Sequence, residues 1–344
     1  MKRILIFSLC IGFLLTVTGC KSNKTDFSSY VSAENTAGDI ATVSSAEEVT
    51  AEVSSLESSS QVIESSSQAA ENSSQNLAGF QQEVSSAAPP VQSVIAGYTV
   101  NDPQNTRGLS NQKFGFGFGI AQDGVAHSLS FSNQAKFDAM ANVEALALDT
   151  KSDDKRMYLT FDCGYEYKNL TANVLDTLKE KNVKAAFFVT LSYIKSNPQL
   201  VRRMIDEGHI VGNHSATHPS FPDISRTKMA EELFLVNDYL EKNFNYKTTY
   251  FRFPAGEHSE NSLELVTSIG YKSIFWSSAY RDYDTANQNG YDAAYKTVTD
   301  RFHQGAVILL HCVSQDNADI LGAVIDNAHS QGYAFKTLDD YYSN

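Results

Sequence analysis

The chain has 344 residues, of which 19% are charged, and a formal net charge of −13. Such an acidic chain repels nucleic-acid phosphates, so its charge argues against a nucleic-acid partner. Its four cysteines are too few for a disulfide framework in a chain of this length.

Residues 1–20 have the pattern of a secretory signal. Two basic residues precede an apolar run from Ile4 to Val17, and Thr18-Gly19-Cys20 follows. The run is shorter than the roughly 20 apolar residues that cross a bilayer. Gly19-Cys20 resembles a bacterial lipobox, which predicts export and a lipid on Cys20 that anchors the chain to the membrane, facing the cell wall. The alternative is an ordinary signal peptide that happens to contain this cysteine.

The segment 21–96 is rich in serine, glutamate and glutamine and poor in aromatic residues. It cannot bury enough apolar surface to offset the entropy of ordering, which predicts a disordered tether. The segment 97–154 regains aromatic residues, including three alternating Phe-Gly pairs from Phe114 to Gly119. We expect an ordered extension that packs on the main domain, because it is too short for a secure core of its own.

The segment 155–344 alternates short apolar runs with helical patterns. This rhythm predicts a parallel sheet covered by helices. Six or seven repeats in under 200 residues favour a distorted, incomplete (β/α)7 barrel over an open sheet. The predicted strands are Met157–Phe161, Ala185–Val189, Ile210–Gly212, Tyr250–Phe253, Lys272–Phe275 and Ala306–Leu310. The predicted helices are Leu170–Lys181, Pro198–Glu207, Arg226–Asn243, Ser262–Ser268, Asp292–Phe302 and Ala318–Gln331.

Polar residues follow five of these strands, at the edge where parallel barrels carry their active sites. Taken singly, each has an ordinary structural reading, such as a helix cap for an Asp or an ion pair for an Arg. Together they form a convergent set of acid, thiol, imidazole and guanidinium groups. The set is Asp162 and Cys163, His214 and His218, Arg252, Asp282, and His311.

These residues occur in motifs that resemble those of the NodB-type polysaccharide deacetylases, carbohydrate esterase family 4. The motifs, in the family's order, are Thr160-Phe161-Asp162-x-Gly164, His214-Ser215-x-x-His218, Arg252-x-Pro254-x-Gly256, Asp282 and Leu310-His311. The extended strings around Cys163, Trp276 and Cys312 are similar to the branch that de-N-acetylates peptidoglycan during δ-lactam synthesis. The resemblance covers about Arg156 to Leu338 and implies the NodB barrel.

The resemblance also implies roles for these residues. Asp162 matches the catalytic base, held by Arg252, and His311 matches the general acid, kept charged by Asp282. His214 and His218 match ligands of a divalent metal, Zn²⁺ or Co²⁺. The backbone N–H of Ala255 matches an oxyanion donor.

Cys163 departs from the family, which has an acidic metal ligand at this position. A thiolate binds Zn²⁺ well, so Cys163 with two histidines is one alternative; a small packing residue is the other, and a disulfide with Cys312 is also open. Tyr283 departs too, since relatives carry Trp there. Aromatic residues at strand ends can stack on sugar rings or belong to the core; the candidates are Tyr165, Trp276, Tyr283, Tyr280 and Phe221.

The resulting hypothesis is a monomeric metal-dependent enzyme that removes N-acetyl groups from peptidoglycan sugars, either N-acetylmuramic acid or N-acetylglucosamine. One alternative is deacetylation of another polysaccharide, such as an exopolysaccharide or chitin oligomers. A second is an inactive glycan-binding lipoprotein. Asp162 and His311 argue against the second alternative, because binding alone needs neither a base nor an acid.

Overall fold

The computed structural model describes residues 92–95 and 98–343, with side chains from residue 98 onward. The predicted signal, the lipidation site Cys20 and most of the predicted tether lie outside the described residues. Within them, no helix is both long enough and apolar enough to cross a membrane.

The first described elements form a hairpin. Strand β1 (Gln92–Ile95) pairs antiparallel with β2 (Tyr98–Asn101), so the predicted boundary at residue 96 falls inside this hairpin. Helix α1 (Ser128–Asp138) begins at the side chain of His127, which accepts a hydrogen bond from the amide of Leu129. Strand β3 (Ala145–Leu146) then pairs with a strand of the main sheet. The predicted extension therefore supplies part of that sheet.

The main sheet is parallel throughout and curls into an incomplete barrel, which confirms the predicted fold class. Its further strands are β4 (Arg156–Cys163), β5 (Ala186–Val189), β6 (Ile210–Asn213), β7 (Tyr250–Phe251), β8 (Lys272–Ile274), β9 (Ala306–His311) and β10 (Ala334–Lys336). Neighbours run in the order β4, β5, β6, β7, β8, β3, while β9 and β10 both pair with β4. A single parallel bridge between Ser278 and Ile308 links the region after β8 to β9.

Helices follow most strands. They are α2 (Leu170–Glu180), α3 (Leu191–Ser196), α4 (Pro198–Asp206), α5 (Arg226–Phe244), α6 (Glu260–Ser268), α7 (Tyr291–Thr299), α8 (Gln315–Ser330) and α9 (Leu338–Tyr342). The six predicted helices all occur, with ends displaced by up to three residues. Three described helices were not predicted. The short α3 and α9 have too few residues to show a helical period, and the buried face of α1 is largely polar, with Ser130 and Gln134 beside Phe137, so it shows no apolar stripe.

The two faces of β4 have different surroundings. Met157, Leu159, Phe161 and Cys163 pack in the apolar layer between the sheet and the helices. Thr160 and Asp162 point to the other side, where both contact Arg252. This alternation is the two-residue period of an extended strand, and it decides which residues at the end of β4 reach the barrel interior.

Candidate active site

Asp162 and Arg252 form a buried ion pair near the centre of the site. Nη1 of Arg252 lies 2.8 Å from Oδ1 of Asp162, and the arginine side chain is 0% exposed. The other guanidinium nitrogens donate to Thr160 Oγ1 and to the carbonyls of Ile274 and Phe275. Burial by itself raises the pKa of Asp162, but the charge and hydrogen bond of Arg252, together with the nearby His214 and His311, outweigh burial and hold that pKa below its ordinary value. Asp162 is therefore an oriented, ionised carboxylate.

His311 and Asp282 form a second pair. Nδ1 of His311 donates to Oδ1 of Asp282 at 2.7 Å, and the backbone amide of His311 donates to Oδ2 at 2.7 Å. Burial favours a neutral imidazole, but the charge and hydrogen bond of Asp282, together with the charge of Asp162, outweigh burial and raise the pKa of His311. Since Nδ1 is engaged, Nε2 is the nitrogen left for a ligand. His311 is register-paired with Asp162 across β4 and β9, so base-like and acid-like groups stand next to each other.

His214 and His218 lie together beside Asp162. Their ring centroids are 4.8 Å apart, and Nε2 of His214 is 3.6 Å from Oδ2 of Asp162. Nδ1 of His214 donates to the carbonyl of Arg252 at 2.9 Å, which leaves the lone pair on Nε2. Burial lowers the pKa of His214 to about 4 and lowers that of His218 as well. Both rings are therefore neutral and able to bind a metal.

The loop that carries the two histidines is held by specific hydrogen bonds. Ser215 and His218 both have positive φ, at 66° and 57°. Oδ1 of Asn213 accepts from the Ser215 amide, and Oγ of Ser215 accepts from the His218 amide. The buried carboxylate of Glu232 accepts from the amide and hydroxyl of Thr217. These bonds maintain backbone conformations that are rare for residues other than glycine.

The structure does not bring Cys163 together with the two histidines. Its side chain is 0% exposed and packs in the apolar layer outside the sheet. Its Sγ lies 3.1 Å from Sγ of Cys312, and both thiols are free. Burial also raises the pKa of Cys163, which disfavours a thiolate. The described residues contain no cluster of three His, Cys, Asp or Glu arranged to hold a metal. This geometry favours the packing alternative over the predicted ligand role, because Cys163 faces away from Asp162.

The aromatic candidates fall into two groups. Tyr165 and Tyr283 are 54% and 37% exposed, and the Tyr283 ring centroid is 5.6 Å from that of His311. Trp276, in contrast, is buried between Arg252 and Phe116 of the extension. Trp276 therefore packs against Arg252 and has no exposed face on which a sugar could stack.

The other two aromatic candidates and Ala255 have different surroundings. Phe221 is fully buried against Phe251 and Phe253 and belongs to the core. Tyr280 is half-buried, and its hydroxyl donates a hydrogen bond to Oδ1 of Asn317. Ala255 is exposed in a tight turn with φ 52°.

Two buried polar residues near the site were not predicted. Glu232 lies between Met229 and Val236 on the apolar face of α5, and Asn317 precedes Ile320 and Leu321 on the apolar face of α8. A polar residue on an otherwise apolar stripe is the signal that could have found them, since such a residue needs a buried partner.

Comparison with known proteins identifies relatives in sequence and in fold. A family model described as polysaccharide deacetylase matches residues 149–274. The peptidoglycan-N-acetylmuramic acid deacetylase PdaA of Bacillus subtilis is 43% identical over 188 residues, which cover 54% of this chain and 71% of that protein. The chain belongs to the polysaccharide deacetylase family.

A solved structure and one further relative extend the comparison. The solved structure of B. subtilis PdaA, described as a family 4 carbohydrate esterase, matches with a TM-score of 0.64 at 36% identity, covering 69% of this chain and all of that one. The peptidoglycan-N-acetylglucosamine deacetylase PgdA of Listeria monocytogenes is 35% identical over 189 residues, covering 55% of this chain and 39% of that protein. The family resemblance drawn from the motifs is thereby confirmed, and the chain is an enzyme of this family.

Proposed function

We propose that this chain is a metal-dependent peptidoglycan deacetylase that hydrolyses the N-acetyl group of N-acetylmuramic acid or N-acetylglucosamine residues. The observation that carries the proposal is the position of the Asp162 carboxylate, bonded to Arg252, beside the His311 imidazole, bonded to Asp282, at the ends of neighbouring strands. The lowered pKa of Asp162 suits it to accept a proton, and the raised pKa of His311 suits it to donate one. Amide hydrolysis needs one group of each kind. The activities for which the PdaA and PgdA relatives are named support peptidoglycan as the substrate.

In this mechanism Asp162 accepts a proton from the attacking water, whose oxygen bonds to the acetyl carbon. The C–N bond then breaks, acetate leaves, and Nε2 of His311 gives a proton to the sugar nitrogen. Arg252 keeps Asp162 ionised and fixed, and Asp282 keeps His311 protonated. The backbone N–H of Ala255 donates to the acetyl oxygen as its negative charge develops.

His214 and His218 fit a divalent metal, because both imidazoles are neutral and the free nitrogen of His214 faces Asp162. Zn²⁺ or Co²⁺ suits two imidazole ligands. When bound, such an ion acidifies a water and polarises the acetyl carbonyl. Cys163 is left out of this ligand set because its thiol lies on the other side of β4.

The exposed rings of Tyr165 and Tyr283 support a sugar-binding groove, since an aromatic face packs well on a pyranose ring. Tyr283 lies beside His311. A sugar ring stacked on Tyr283 would therefore have its amide nitrogen near His311, the proposed proton donor.

The location of the enzyme is also proposed. We infer an exported, monomeric protein with residues 21–96 as a tether and a lipid on Cys20, which would let the domain reach the cell wall from the membrane. Membrane fractionation of the wild type and the Cys20→Ser variant tests the anchor. The variant should appear in the soluble fraction, and a membrane-bound variant would contradict the anchor.

Acetate release from purified peptidoglycan tests the function. Mass spectrometry of the digested product identifies which sugar has lost its acetyl group. Chelation should abolish the release and added Zn²⁺ or Co²⁺ should restore it. Release from chitin oligomers or an exopolysaccharide but not from peptidoglycan would indicate another polymer. Binding of peptidoglycan without any acetate release would indicate an inactive glycan-binding protein.

A further inference from the structure

Asn317 is a buried polar residue at the start of α8 that the mechanism above does not use. It is 1% exposed and shares a helix face with the apolar Ile320, Leu321 and Val324. An amide in such a position is costly unless its donors and acceptor are paired. Its side chain does not cap the helix, because the hydroxyl of Ser314 accepts from the Asn317 backbone amide in that role.

Every polar atom of the Asn317 side chain points to the acid-like half of the site. Nδ2 donates to Oδ2 of Asp282 at 2.6 Å and to the carbonyl of His311 at 3.1 Å. Oδ1 accepts from the hydroxyl of Tyr280 at 2.5 Å. Only one amide orientation satisfies this set, because the opposite one would turn the amide oxygen toward two acceptors.

The Asp282 carboxylate consequently receives three donors. Two come from His311, through Nδ1 and the backbone amide, and the third is Nδ2 of Asn317. Oδ2, which is shared by the His311 amide and Asn317, fixes the rotation of the carboxylate. That rotation in turn sets the direction in which Oδ1 meets the imidazole of His311. Asn317 does not contact the imidazole itself; it reaches His311 through Asp282 and through the His311 backbone carbonyl, and of these two groups only Asp282 bonds to the ring.

We propose that Asn317 is a positioning residue that fixes the Asp282 carboxylate and thereby the orientation of the His311 imidazole for proton donation. The inference rests on the proposed function for its kinetic consequences only. The hydrogen-bond chain from Tyr280 through Asn317 and Asp282 to His311 exists in the protein without substrate.

The kinetic test uses Asn317→Leu, which keeps the shape and removes the donor, and Asn317→Asp, which turns an acceptor toward Asp282. Each should lower kcat for acetate release about tenfold or more and leave KM within about twofold, because only the proton transfer is disturbed. The matched control is Asn327→Leu on the same helix. Asn327 donates to the hydroxyl of Tyr295 and has no bond to Asp282, so kcat should stay near wild type.

A double-mutant cycle separates positioning from a general structural effect. In an Asp282→Asn background, Asn317→Leu should cause no further loss of kcat, because the group through which it acts has already been changed. A full additional tenfold loss in that background would overturn the proposal, and so would wild-type kcat in both single variants.

A spectroscopic readout works without turnover. In the wild type, the Nδ1 proton of His311 should give a downfield NMR resonance that is absent in a His311→Gln variant. Asn317→Leu should shift or broaden that resonance, while Asn327→Leu should not. An unshifted resonance would refute the positioning role.

If circular dichroism shows that Asn317→Leu does not fold, the same measurements are made on Asn317→Asp. If the wild type releases no acetate, the proposed function fails, yet the resonance still decides the role of Asn317.

Discussion

Two residue pairs stand side by side at the carboxyl ends of β4 and β9, and their surroundings differ sharply. Asp162 and His311 are register partners that face the barrel interior, where Arg252 and Asp282 hold them. Cys163 and Cys312, one residue further along, face the apolar layer under the helices and contact each other. The first pair is surrounded by charge and hydrogen bonds, whereas the second is surrounded by hydrocarbon.

The difference teaches that adjacency in a motif does not imply a shared environment. An extended strand turns successive side chains to opposite faces, so a residue that follows a catalytic candidate at once can belong to the core. The comparison yields predictions for both pairs, and the expected effect on catalysis is large for the first pair and small for the second.

The largest effect is expected at the acid-like residue. His311→Ala should lower kcat for acetate release by roughly 10²-fold or more, because the departing amine loses its positioned proton donor. Circular dichroism should show an unchanged fold, since the His311 side chain is partly open to solvent. Near-normal turnover in this variant would remove His311 from the mechanism.

A smaller effect, with a distinct pH signature, is expected for Asp282→Asn. His311 works as the protonated acid, so activity is lost as the pH rises through its pKa. Burial alone lowers that pKa and Asp282 raises it, so the variant should move the basic limb of the pH–kcat profile to lower pH. We expect about tenfold lower kcat at the wild-type optimum. An unmoved basic limb would mean that another group titrates there.

Substitutions in the second pair, Cys163 and Cys312, should change the stability of the fold and leave the catalytic rate unchanged. Cys163→Asp introduces a carboxylate into the apolar layer and should lower the free energy of unfolding by about 3 kcal/mol, measured by denaturant titration. It should bind no more metal than the wild type. If this variant instead gained metal affinity at unchanged stability, the position would face the histidines after all.

The smallest effect is expected for Cys312→Ala. The loss of a small buried side chain should cost about 1 kcal/mol of stability, seen as a modest decrease in Tm. The values of kcat and KM should stay within about twofold of wild type, although Cys312 directly follows His311. A large loss of kcat at normal stability would contradict the separation of the two faces.

Much of this arrangement could be predicted from the sequence. The six predicted strands and six predicted helices all occur, because each shows apolar periodicity over several residues and clear end signals. The polar residues after the strands converge, because parallel strands end at the same edge. Strand β3 could not be predicted, since two residues carry no period and its partner β8 lies more than 120 residues away.

The remaining features depend on tertiary contacts. The face taken by Cys163 depends on how far the extended backbone of β4 continues past Asp162, which the motif alone does not determine. The partners of Glu232 and Asn317 lie 15 and 35 residues away in sequence at Thr217 and Asp282. No local pattern links these residues, although their polarity on apolar helix faces marks them as candidates.

One measurement tests the central claim most directly: kcat/KM for acetate release from peptidoglycan by two variants at neighbouring positions, Asp162→Asn and Cys163→Ala. Asp162→Asn keeps the shape and the bond to Arg252 but cannot take a proton from water, so a loss of roughly 10²-fold or more is expected. Cys163→Ala should remain within about twofold of wild type and keep its metal content. Comparable losses in both variants, or a larger loss in Cys163→Ala, would contradict the account.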